Sequence, residues 1–147
     1  MAQFEKTMTF SRPLAEVFDF FLQPANLLRV SPPELHMELV EGPERLQLGA
    51  VVTLKGRRWG LSQRVVSEVI AFEPNVLFID QQRQGPFRQW KHTHRFAALA
   101  EGTQVQDTIE FEPPGGLLGL LVTENFIRRD LEKVFAYRAE KLRQILS

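Results

Sequence analysis

After the Gly85-Pro86 turn the sequence runs Phe87-Arg88-Gln89-Trp90-Lys91-His92-Thr93-His94-Arg95-Phe96, and its two histidines are the groups best suited to chemistry. Trp90, His92, His94 and Phe96 recur at every second position. On a strand they share one face, with Lys91, Thr93 and Arg95 on the other. Two imidazoles between two large aromatics make a partly polar inner face, as a ligand cavity or an active site has. If Glu101-Gly102 turns a hairpin, Asp107 lies on the neighbouring strand and the same face, opposite or diagonal to His94. An aspartate there raises the imidazole pKa and fixes its tautomer, as acid/base work by His94 with Asp107 requires. A His-x-His pair also coordinates zinc or iron when a third ligand is present, and Asp107 is a candidate. The plainer alternative is a buried His–Asp hydrogen bond that satisfies both groups and sets strand register. The sequence favours that alternative, because it has no HExxH motif, no zinc-ribbon spacing and no third histidine nearby; His36 is distant. Neither a metal site nor a cofactor is expected.

Arg138 is the second such group. It stands seven residues after Leu131, in line with Phe135 and Leu142 at helical spacing, and so in the middle of an apolar stripe. A guanidinium buried there needs a partner, since breaking a buried pair costs about 3–5 kcal/mol. Asp107 and Asp80 are the strand carboxylates able to face it, and a structural ion pair is the first expectation. The alternative is that Arg138 grips a ligand carboxylate or phenolate with its fork of donors. Aromatic bulk is plentiful, with twelve Phe, two Trp and one Tyr. Phe18, Phe21, Phe78, Trp90, Phe96, Phe111, Phe126 and Phe135 are expected around the space between sheet and helix, mostly as core. Neither a glycine-rich phosphate loop nor a Gly-x-Ser-x-Gly elbow is present.

The elements that position these groups follow from periodicity. Gln3 to Phe10 alternates as a strand, and Ser11 offers a helix N-cap ahead of Pro13, Leu14, Val17, Phe18 and Phe21. Pro24 ends that helix and starts a shorter one, which Pro32-Pro33 stops. Six strands follow: Leu35 to Val40, Ala50 to Arg58, Leu61 to Phe72, Val76 to Gln82, Trp90 to Leu99 and Thr103 to Phe111. Their short turns imply an antiparallel meander. Beyond Pro113-Pro114-Gly115-Gly116 the pattern becomes helical, with Ile127, Leu131, Val134, Phe135, Leu142 and Ile145 on one stripe some five turns long. A curved antiparallel sheet wrapped around this long C-terminal helix, an α+β architecture, buries both apolar faces.

Composition narrows the classes further. The 147 residues suit one domain spanning 1–147, without a linker or repeat. Eighteen basic residues balance eighteen acidic ones, which argues against a nucleic-acid partner. There is no cysteine, so disulfides, thiolate metal sites and a cysteine nucleophile are excluded. The longest apolar run, Leu117 to Val122, is interrupted by Gly119 and far too short for stable membrane insertion. With no basic-then-apolar leader, a soluble cytoplasmic protein is expected. A protein-interaction module is disfavoured because no exposed apolar helix is evident.

Specific residues add a resemblance. Asn26-Leu27 before Ser31-Pro32-Pro33, Gly85-Pro86-Phe87 with Trp90, His92, His94 and Phe96, Gly102-Thr103 then Asp107, and Phe135 with Tyr137-Arg138 span nearly the whole chain. Together they resemble the START-like, or SRPBCC, superfamily, and within it the small bacterial polyketide cyclase/dehydrase-like proteins. The chain departs from that branch at Leu61-Ser62-Gln63-Arg64, where a tryptophan opens the strand, and at Phe111, where a tyrosine stands. The resemblance implies a helix-grip fold with a cavity for apolar, lipid-like or aromatic small molecules. A binding protein is the leading expectation, with Trp90, His92, His94, Phe96, Asp107, Phe111, Phe135 and Arg138 contacting the ligand. The alternative is a cyclase, dehydratase or isomerase in which His94 and Asp107 supply acid/base chemistry and Arg138 steadies an enolate.

Overall fold

A computed structural model describes all residues 1–147. Seven antiparallel strands form one sheet in the order β1-β7-β6-β5-β4-β3-β2: β1 Ala2–Phe10, β2 Glu38–Glu41, β3 Val51–Arg58, β4 Leu61–Glu73, β5 Leu77–Gln84, β6 Gln89–Leu99 and β7 Gly102–Glu112. Helices α1 (Leu14–Phe21) and α2 (Pro24–Arg29) follow β1. A one-turn α3 (Leu118–Leu121) and the long α4 (Glu124–Leu146) close the chain. The helix-grip architecture is therefore present, with the sheet curved around α4. Its curvature has local causes, since β4 is thirteen residues long and shifts register against β5 twice, near Val66 and near Val69.

Helix α4 begins where the Thr123 hydroxyl accepts the Phe126 amide, and it buries Ile127, Leu131, Phe135, Ala139, Leu142 and Leu146 at three- and four-residue spacing. Two packed groups result. One joins Phe10, Val17, Phe18, Phe78, Phe96, Val105 and Leu142; the other joins Phe87, Ile109, Phe111, Ile127, Leu131 and Phe135. Phe18 anchors the first group, with edge contacts to Phe72, Phe78 and Phe96. At the β6–β7 hairpin, a Cβ on Gly102 would collide with the Phe10 carbonyl, so only glycine lets β1 pass so close.

The structure corrects several local expectations. Ser11 does not cap α1; Pro13 occupies that position without a side-chain bond, and the Thr103 hydroxyl satisfies the Arg12 carbonyl instead. Leu35 is not in a strand. Pro33–Leu35 forms a 3-10 turn ended by His36 at φ 45°, because two prolines fix the backbone there, and β2 starts only at Glu38. Phe126 is not core but half exposed, and α3 presents the exposed apolar side chains of Leu117, Leu120 and Leu121 that the sequence was expected to lack. No helix is long and apolar enough to cross a membrane.

Candidate functional site

Between the concave face of the sheet, α2 and α4 lies a cavity of about 290 Å³. Its wall has many apolar groups, among them Leu27, Leu54, Val65, Phe87, Leu131 and Val134. Lys55, Arg57 and Arg58 of β3 and Arg138 of α4 also border it, and a histidine–carboxylate cluster lies on β4 to β6. Strand alternation explains the cluster. Phe78, Asp80 and Gln82 of β5 face inward beside Trp90, His92 and His94 of β6 and Ser67 of β4.

β6 and β7 pair with His94 directly across from Asp107, one of the two placements left open by the sequence. The turn is Ala100-Glu101 and not Glu101-Gly102, because Gly102 already pairs with Leu99. The shortest bond nevertheless runs diagonally. His92 Nε2 donates to Asp107 Oδ1 at 2.7 Å, while His94 Nδ1 stands 3.3 Å from the same oxygen and out of line for a good bond. His94 Nε2 donates to Asp80 Oδ2 at 2.7 Å, and the Ser67 hydroxyl donates to Asp80 Oδ1 at 3.2 Å. Hydrogen bonds and the close His94–Asp107 approach thus link Ser67, Asp80, His94, Asp107 and His92 in a largely buried cluster. Asp80 and Ser67 escaped the sequence reading as histidine partners. The Phe78-Asp80-Gln82 alternation was the available signal, but it needed the β5–β6 register to be useful.

The network divides the two histidines electrostatically. Burial pushes His94 down, but the Asp107 and Asp80 carboxylates on either side outweigh this and raise it, which favours its protonated form. Burial and the proximity of His94 together lower His92, which favours its neutral form despite its bond to Asp107. Burial raises Asp107, but the two histidines and the Arg138 charge more than reverse it and hold the carboxyl far below the usual range. Asp80 is likewise lowered, with His94 overcoming burial. Stability therefore has two pH limbs. The His94 contribution is complete below its ordinary value of 6.5 and is lost as pH rises toward its raised folded value. The lowered His92 destabilises the fold as pH falls below 6.5, and the carboxylates add to this below 3.8. The melting temperature is expected to peak near neutrality, and His94→Gln should flatten its decline on the alkaline side. An unchanged alkaline limb in that variant, followed by circular dichroism, would show that His94 is not the group titrating.

Arg138 differs from the first expectation. It forms no ion pair with Asp107 or Asp80; its guanidinium lies over Phe135 and Phe21, with Cζ at 5.3 and 5.7 Å from the ring centroids. Its Nε is buried without a hydrogen-bond partner on the cavity wall. The guanidinium thus sits over aromatic rings, where its charge is felt by Asp107 without forming an ion pair with it.

Of the ligand contacts expected from sequence, Trp90, His92, His94, Phe135 and Arg138 line the cavity. Phe96 and Phe111 do not, being packed in the two core groups, and Asp107 sits behind the histidines. Asp80, His92 and His94 hold potential ligand atoms within 4.8 Å of one another. The His92 and His94 rings, however, stack 3.7 Å apart at 22°, so their in-plane lone pairs run side by side instead of converging on one ion. As arranged, these residues fit a hydrogen-bonded network better than a metal-ligand set.

A sheet gripping a long helix over an apolar cavity with a few inward polar groups defines the SRPBCC, or START-like, class. Within it, the model of the family described as polyketide cyclase / dehydrase and lipid transport matches residues 1–146, and the chain belongs to that family. No curated protein matches in sequence. Solved structures share the fold at low identity. Protein CV1439 from Chromobacterium violaceum has a TM-score of 0.76 at 12% identity over 98% of this chain and 96% of its own. The di-domain ARO/CYC StfQ from the steffimycin biosynthetic pathway has a TM-score of 0.76 at 14% identity, over 98% of this chain and 50% of its own. Ara h 8.0201 has a TM-score of 0.70 at 15% identity, over 99% of this chain and 97% of its own.

Proposed function

We propose that the protein binds one apolar small molecule, lipid-like or aromatic, whose acidic oxygen is held by Arg138 inside the cavity. The observation that carries this is the buried, unpartnered Nε of Arg138 on the cavity wall, beside the apolar side chains of Leu131, Val134 and Phe135. A buried donor left without an acceptor is unfavourable, and a carboxylate, phenolate or enolate entering the cavity supplies one. The cavity volume of about 290 Å³ suits a compact ligand, since small-molecule sites begin near roughly 300 Å³. The family description, which names polyketide chemistry and lipid transport, supports the same ligand classes. Native mass spectrometry of freshly purified protein is expected to show a 1:1 adduct of an acidic apolar molecule, weaker in Arg138→Met. A neutral polar adduct, or one equally strong in the variant, contradicts the assignment.

A second reading, proton-transfer catalysis, is favoured by one observation. His92 makes a single side-chain hydrogen bond, to Asp107, and has a second nitrogen with no protein partner on the cavity wall. Both nitrogens of His94 face carboxylates. Any acid/base step therefore falls to His92 with Asp107, in place of the His94–Asp107 pair expected from sequence. Exchange of the α-protons of a cyclic 1,3-diketone for deuterium, catalysed by the wild type and lost in His92→Ala, is the corresponding result. Equal exchange rates with and without protein remove the catalytic reading and leave the binding one.

A further inference from the structure

One end of the molecule carries an apolar surface that internal packing does not use. Leu117, Leu120 and Leu121 are 83%, 75% and 77% exposed, on and beside the single turn α3. Phe126 in the first turn of α4 and Leu61 at the β3–β4 turn are 42% and 45% exposed. These positions belong together, because the Trp59 ring lies 6.4 Å from that of Phe126, and Trp59 and Leu118 pack on the same buried group. Isolated exposed leucines need no explanation, but a cluster of apolar tips at one end marks a contact surface.

The charges around it are unbalanced. Arg57 and Arg58 stand at the β3–β4 turn, the Arg88 guanidinium lies against Gly115, and Arg128 and Arg129 lie in the first turns of α4. The acidic residues on these segments are Glu112, Glu124 and Asp130; Glu124 pairs with Arg128, and Asp130 with Arg58. Arg57, Arg88 and Arg129 have no ion pair at all. In a chain whose net charge is zero, five basic groups against three acidic ones at this end form a local excess.

We infer that this end docks peripherally on an anionic lipid bilayer, with Leu117, Leu120 and Leu121 entering the headgroup–acyl boundary and the arginines meeting lipid phosphates. Apolar tips ringed by arginine are the two components of such binding, and a four-residue helix reaches the interface without spanning it. A second copy of the chain fits less well. A twofold contact through the leucines would set the same arginine rim against itself. A partner helix also lacks a groove to lie in, because the leucines protrude. Phe87 and Trp90 of the cavity wall belong to the packed group beneath Trp59 and Leu118, so the docking end adjoins the cavity. The docking itself does not depend on what the cavity holds.

The test is co-sedimentation of the full chain with phosphatidylcholine vesicles containing phosphatidylglycerol, and with phosphatidylcholine vesicles alone. Binding is expected to the anionic vesicles and to weaken with salt. Leu117→Ser/Leu120→Ser/Leu121→Ser should reduce partitioning at least about tenfold with an unchanged melting curve, since the side chains are exposed. Arg88→Gln/Arg129→Gln should reduce the preference for phosphatidylglycerol. Failure of the wild type to bind either vesicle overturns the inference, as does a triple variant that partitions like the wild type. So does a concentration-dependent dimer that the triple variant abolishes without any vesicle binding.

Discussion

Replacing Asp107 by alanine is expected to lower the unfolding free energy by about 3–5 kcal/mol, the largest effect of any polar substitution in the chain. The carboxylate is 2% exposed and receives the His92 N–H at 2.7 Å while facing His94 Nδ1 at 3.3 Å. Without it, His92 loses its only side-chain partner and His94 is left with one neighbouring carboxylate instead of two. A methyl group satisfies neither. Asp107→Asn retains an acceptor for His92 but no charge for His94, and should fall between wild type and Asp107→Ala. Asp80→Ala should be milder, because that side chain is 25% exposed and water can replace part of what it supplies. Urea unfolding near neutral pH, followed by far-ultraviolet circular dichroism, measures all three. A loss below about 1 kcal/mol in Asp107→Ala would mean that the network is not the structural centre of the sheet.

The second large effect concerns binding. Arg138→Met is expected to leave the unfolding free energy within about 1 kcal/mol of wild type or to raise it, because it replaces a buried unpartnered donor with an apolar chain of similar length. Over the same substitution, affinity for an apolar carboxylate should fall about tenfold to a hundredfold, the worth of a hydrogen bond to a charged group. Opposite effects on stability and binding distinguish a ligand anchor from a structural ion pair, whose loss would destabilise the fold. A variant that unfolds more easily and binds as well as the wild type reverses the assignment.

How far the sequence could be read depended on the kind of information needed. Alternation and helical spacing are local, so β6, the meander and the α4 stripe from Ile127 to Leu142 were legible. That Asp107 shares the inner face with His94 was legible too, but not that it lies directly opposite, since moving the turn from Glu101-Gly102 to Ala100-Glu101 shifts the pairing by two residues. The bond between His92 and Asp107 was not, since it depends on side-chain rotamers and on Asp80 competing for His94 from β5. Arg138 was correctly placed in the apolar stripe, yet its pairing was not legible. Its place over the rings of Phe21 and Phe135 depends on how α1 and α4 pack, which spacing within one helix does not report. Phe96 and Phe111 share the inner face with Trp90, but the packing of α1 and α4 across the sheet decides which rings border empty space. Leu117 to Val122 looked like ordinary apolar sequence, and only the structure exposes its leucines.

The most direct measurement is a calorimetric titration of the wild-type protein with a medium-chain alkyl carboxylate and with its isosteric primary amide. Saturable binding of one carboxylate per chain is expected, tighter than the amide by about tenfold or more, since only the carboxylate meets Arg138 with a charge. Saturable carboxylate binding no tighter than that of the amide would contradict an acidic anchor at Arg138. No saturable binding of either would contradict the ligand cavity itself.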